Sequence, residues 1–74
     1  MEPPLFWYSN HARRRMADRG VTELEVEQTV LSPDRWYYGE QGEINAVKDF
    51  GTHRLRVPYE STPEQIRVIT VIEE

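Results

Sequence analysis

The 74-residue chain contains no cysteine, so neither a disulfide framework nor thiolate chemistry is open to it. It also lacks any apolar run near the roughly 20 residues that a membrane-spanning helix needs. The opening places an acidic residue and two prolines ahead of about four apolar residues, which is not the basic-then-apolar order of a signal peptide. A cytoplasmic protein with no membrane role is the expectation. Histidine is scarce: His11 and His53 stand far apart, with no H-x-x-x-H or H-x-x-E pairing, and make a poor metal-ligand set. No Gly-rich phosphate loop, Ser/His/Asp arrangement or retaining carboxylate pair is legible, and no cofactor is expected.

Positive charge is in short supply as well. Nine Lys and Arg face thirteen Asp and Glu, a net charge of −4. A protein that grips nucleic acid non-specifically is usually basic, because phosphate neutralisation supplies that affinity. The balance therefore weakens RNA as a partner and leaves room only for a local basic patch. That patch is at the front. Residues 1–20 carry four arginines against Glu2 and Asp18, whereas residues 21–50 carry Arg35 and Lys48 against seven acidic residues.

What is present is organised around Ser9 to Gly20. Ser9 or Asn10 can cap a helix and Gly20 can end it with a positive φ. At 100° per residue, His11, Arg15 and Arg19 fall within about 80° of each other, and Ala12 and Met16 continue the same arc. A basic stripe thus edges the face that must pack on the core, which an ordinary solvated helix would avoid. Leu5-Phe6-Trp7-Tyr8 ahead of it reads as a short strand or packed arm. Thr22-Glu23-Leu24-Glu25 is a capping box opening a second helix that ends near Leu31, before Ser32-Pro33.

From Asp34 the period changes from helical to alternating. Strands are expected over Arg35–Tyr38, Glu43–Phe50, His53–Tyr59 and Gln65–Ile72, with Leu55, Val57 and Tyr59 inward and Arg54 and Arg56 outward. Pro58 cannot donate to a ladder and marks an edge or a strand end. Short turns favour an antiparallel meander. The expected architecture is α+β, a single domain over residues 1–74 with two N-terminal helices on a four-stranded antiparallel sheet.

The stretch H-A-x-x-R-M-x-x-R-G-V-T (His11 to Thr22), the second helix closing on Ser-Pro, and the terminal V-I-T-V (Val68 to Val71) carry a resemblance. They resemble a small, functionally uncharacterised bacterial domain family placed near the RelE/ParE and BrnT toxins of toxin–antitoxin systems. The resemblance implies a RelE/ParE toxin-like fold. It also implies a metal-independent ribonuclease whose partner is an antitoxin-like protein or a second copy. The wider fold includes RNA-cleaving toxins, gyrase poisons and proteins of no known activity, and fold alone does not choose among them. Carried onto this chain, the implied catalytic residues are His11, Arg15, Thr70 and Arg54 or Arg56. Arg19 and Arg56 would bind substrate, and Trp36 joins them as a substrate-binding candidate through its own ring rather than through the resemblance.

Metal-free RNA cleavage needs a base for the 2′-hydroxyl, cations for the phosphorane charge and an acid for the leaving oxygen. His11 has the intrinsic pKa for the first task, and guanidinium groups suit the second. The plainer reading pairs the arginines with Glu25, Glu27 or Asp18, makes Thr70 an ordinary strand hydroxyl and leaves His53 a solvated loop residue. Trp36, Tyr37 and Tyr38 could stack on bases, or could divide between core and interface. A second functional class stays open beside the ribonuclease: a non-catalytic protein-interaction module using the N-terminal arm and the Trp36–Tyr38 strand.

Overall fold

A computed structural model of the chain describes residues 4–74; Glu2 and Pro3 of the opening lie outside the described residues. The elements run β1 (Leu5–Tyr8), α1 (Asn10–Arg19), α2 (Glu23–Leu31), β2 (Arg35–Tyr38), β3 (Ile44–Asp49), β4 (Arg54–Ser61), β5 (Gln65–Val68) and β6 (Ile72–Glu73).

The helices begin and end where local chemistry requires. The Ser9 hydroxyl accepts from Ala12 N at 2.9 Å, and Gly20 closes α1 in the left-handed region at φ 67°. At Thr22 the capping box is complete, the hydroxyl accepting from Glu25 N and the Glu25 carboxylate from Thr22 N. Ser32 ends α2, and Lys48 reaches from β3 to donate to the Ser32 carbonyl at 2.8 Å.

The sheet corrects the expectation of a four-stranded antiparallel meander. It is six-stranded and mixed, in the order β1-β5-β4-β3-β2, with β6 pairing β4 off that path. Two physical causes account for the difference. First, the N-terminal arm is a strand, and it pairs in parallel with β5, Leu5 opposite Gln65 and Tyr8 opposite Val68. A parallel partner needs a long crossover, so short-turn logic cannot find it. Second, the last strand is broken. Tyr59 pairs with Val68, but Arg56 pairs with Ile72, which leaves one extra residue on the later segment. Such an insertion is a bulge. Phe50 N donates to His53 O, so by alternation Leu55, Val57 and Tyr59 turn their amides to β3, while Arg54, Arg56 and Pro58 face β5 and β6. Pro58 has no N–H to give on that side. The ladder breaks there, with Pro58 O still accepting from Ile69 N at 2.9 Å. Beyond the bulge the faces exchange: Val71 is buried, and Ile72 shares the Arg56 face instead of continuing that of Ile66 and Val68.

Both helices lie on one face of the sheet. There Leu55, Val57, Ile66 and Val68 meet Ala12 and Met16 of α1, Val26 and Val30 of α2, and Val21 between them. Arg54 and Arg56 project from the opposite, helix-free face. No helix among the described residues is long and apolar enough to cross a membrane.

Candidate functional site

The basic stripe starts at the seam between the first turn of α1 and the chain leading into the bulge. Ser9 N donates to Val68 O at 3.1 Å and the Ser9 hydroxyl to Ile69 O at 2.6 Å, so the first turn of α1 is bonded to the chain just before Thr70. Ala12 and Met16 are buried, as the stripe geometry requires. His11 and Arg19 are exposed beside them and Arg15 is half-buried. Among the described residues, Arg14, Arg15 and Arg19 make no ion pair, whereas Arg13, Arg54 and Arg56 each meet a carboxylate. Among the described residues, three buried side-chain atoms have no hydrogen-bond partner: Arg15 Nε, Thr70 Oγ1 and the Tyr8 hydroxyl. Native structures seldom leave such groups orphaned, so each asks for an explanation.

The remaining candidate residues fall elsewhere. Arg54 stands 3.7 Å from Asp49, and Arg56 donates to Glu74 at 3.3 Å and to the buried Asn45 side chain at 3.0 Å. The sheet separates both from α1. Trp36 lies on β2, at the sheet edge opposite β1, and packs edge-on against Tyr38 with ring centroids 5.3 Å apart. The structure holds the first turn of α1, where His11 lies, beside the chain leading to Thr70, and Arg15 and Arg19 follow one and two turns further along the helix. It does not bring Arg54, Arg56 or Trp36 there.

The family-model comparison finds a match over residues 8–73, to a domain of unknown function, DUF4258. The chain belongs to that family. No curated protein and no solved structure matches it.

The DUF4258 domain also holds a cluster that residue spacing did not reveal. His53 Nε2 donates to Glu25 Oε2 at 2.8 Å, and its Nδ1 lies 2.9 Å from the Thr52 hydroxyl. Because Nε2–H is committed to the carboxylate, the neutral ring accepts at Nδ1. Phe50 stacks on the imidazole at 5.2 Å, and Gly51 at φ 91° opens the two-residue turn that places it. Glu25 is held below the ordinary glutamate range, first by the Thr22 backbone N–H and then by the His53 ring, against the opposing effect of burial. The order carboxylate–imidazole–hydroxyl is that of an activated nucleophile. Here, however, the carboxylate is already engaged at the helix cap. The adjoining open cleft, about 310 Å³, is lined by Asp49 and Glu74 as well as Arg54, a poor setting for an anionic substrate. The cluster reads best as a clamp joining the β3–β4 turn to α2. A capping-box motif identifies Glu25 in sequence, but nothing in sequence indicates that its second oxygen meets a histidine from the hairpin.

Proposed function

We propose that the seam between α1 and Thr70 is a phosphodiester site and that the domain is a toxin-type, metal-independent ribonuclease. One observation carries the reading. Arg15 Nε and Thr70 Oγ1 are desolvated without partners, on segments that Ser9 bonds together. Leaving a buried donor unpaired costs on the order of 1–3 kcal/mol, and a bound phosphate oxygen would offset that cost. Among the described residues Arg19, one turn further along α1, carries no carboxylate partner, so its charge is available to the same anion.

In this reading His11 takes the proton from the 2′-hydroxyl. The 2′-oxygen attacks phosphorus and the P–O5′ bond breaks. Arg15 and Arg19 hold the charge that collects on the non-bridging oxygens, with the Thr70 hydroxyl donating to one of them. Water supplies the proton to the departing oxygen. The products are a 2′,3′-cyclic phosphate and a 5′-hydroxyl. Arg54 and Arg56 have no part in this scheme, since the sheet lies between them and α1.

The test is incubation of the purified domain with single-stranded RNA in a chelator. Cleavage to cyclic-phosphate ends is expected, with His11→Ala and Arg15→Ala each slowing it at least tenfold and Arg54→Ala leaving it unchanged. Intact RNA, or cleavage indifferent to His11 and Arg15, would overturn the assignment.

A further inference from the structure

We propose that the open edge of β2 pairs with the same edge of a second copy, forming a symmetric antiparallel dimer. The inference is independent of the α1 site. β2 borders the sheet, and its inner side is fixed by register: Gly39 N donates to Glu43 O, so Tyr37 and Arg35 exchange backbone bonds with Asn45 and Val47. The N–H and C=O groups of Trp36 and Tyr38 consequently point away from β3. Such an edge is a template for another strand, and soluble proteins usually blunt it with lysine, proline or a covering element. β2 has neither lysine nor proline within its four residues, Arg35-Trp36-Tyr37-Tyr38, and its single charge, Arg35, stands at one end. Its three rings are instead exposed, Trp36 by 54%, Tyr37 by 41% and Tyr38 by 66%. The opposite edge is better protected: Pro4 precedes β1, and the Arg67 guanidinium covers Trp7 at 4.9 Å.

The free backbone groups specify an extended strand as the occupant, and the β2 sequence fits itself. With the two-fold axis through Tyr37, Trp36 of each copy stands opposite Tyr38 of the other. Both then exchange their outward N–H and C=O groups, giving four bonds. Trp36 and Tyr38 from the two copies form aromatic cross-strand pairs on the helix-covered face, and the two Tyr37 rings meet on the other. On the helix-covered face the rings continue into an apolar hollow of about 300 Å³ lined by Val30, Pro33, Trp36, Ile44 and Tyr59. Arg35 falls opposite Gly39, so the two arginines do not oppose each other. Asp34 meets Glu40 at each rim, a like-charge contact that keeps the pairing weak.

The area points the same way. At ~150–250 Å² per whole aromatic side chain, the three rings contribute roughly 300 Å² per copy. The strand backbone adds to that. The total stays at or below the lower bound of about 1,200 Å² for stable interfaces, so the dimer belongs to the micromolar range.

Sedimentation equilibrium of the full chain from about 1 to 500 μM tests this. The expected mass rises from 8.8 kDa to twice that value with concentration. Trp36→Lys and Tyr38→Lys should each weaken association at least tenfold, while Leu5→Lys on the other edge should have no effect. Far-UV circular dichroism confirms that each variant folds. Amide exchange supplies a readout independent of substitution: Trp36 and Tyr38 amides should slow as concentration rises, and the Tyr37 amide should not. A monomer at every concentration, including one that captures a foreign extended peptide, overturns the proposal. So does a dimer that Leu5→Lys dissociates and Tyr38→Lys does not.

Discussion

Replacing Glu25 with alanine removes a carboxylate that joins three segments. Its Oε1 accepts from Thr22 N at 3.0 Å, completing the cap of α2, and its Oε2 accepts from His53 Nε2 at 2.8 Å across the hairpin turn. The cap component is worth about 0.5–1 kcal/mol. A charge-assisted bond is worth ~1.5–3 kcal/mol in general. The His53 and Glu25 side chains are 25% and 23% exposed, so the lower end applies. The expected loss for Glu25→Ala is therefore about 2 kcal/mol, or roughly 10 °C in Tm for a domain of this size. Urea unfolding followed by circular dichroism measures it. A double-mutant cycle with His53→Ala should return a coupling near 1 kcal/mol, because the cycle removes the separate loss of Phe50 stacking. The pH dependence follows from the depressed folded pKa of Glu25. Such a group stabilises the fold fully above its unfolded pKa of about 4.3, and that contribution is lost as pH falls through the folded value. The native domain should therefore lose stability below about pH 4.3 more steeply than Glu25→Gln does. Additive single losses in the cycle, with matching acid limbs, would refute the clamp.

Two further substitutions act on the hydroxyls of Tyr8 and Ser9. Tyr8 has a buried hydroxyl with no partner, and burial, reinforced by Glu27 and Glu23, pushes its pKa up to about 12. Tyr8→Phe should be neutral or stabilising by up to ~1 kcal/mol in thermal melts, since no bond is lost. The native fold should also weaken between pH 10 and 12, where the unfolded chain ionises Tyr8 and the folded one does not; Tyr8→Phe should flatten that limb. Ser9→Ala removes both the cap to Ala12 and the bond to Ile69 O, and should lower unfolding free energy by about 1–2 kcal/mol.

What could be read from the residues divides by range. Ser9, Thr22 with Glu25, and Gly20 act within one helical turn, and all three took the roles their side chains or backbone freedom dictate. The alternation at Leu55, Val57 and Tyr59 likewise sets the inner face of β4. The same alternation puts Arg54 and Arg56 on the other face, so a single hollow holding them with His11 was already at odds with period two. The β1–β5 pairing is different in kind. It joins residues some 60 positions apart, and no local pattern in Leu5–Tyr8 names Gln65–Val68 as the partner. Pro58 was legible as an interruption, but whether it ends a strand or bulges its neighbour depends on which edge its nitrogen faces. That is a property of the assembled sheet.

The charge distribution bears on both proposals at once. A net charge of −4 sets a long-range repulsion toward any polyanion, which argues against sliding or non-specific RNA binding. At physiological salt that repulsion fades beyond roughly 8 Å, and a docked phosphate responds chiefly to the groups within that distance. Near α1 the acidic neighbours are partly spent: Glu23 meets Arg13, and Glu25 is held between Thr22 and His53. Among the described residues, Arg14, Arg15 and Arg19 keep their charge without a carboxylate partner. The same acidic balance makes recognition depend on contact geometry more than on capture from a distance, which suits a site built on two desolvated polar atoms. At the other end of the sheet, β2 has Arg35 alone among aromatic residues, so the proposed pairing there rests on the free backbone of the strand edge and not on charge.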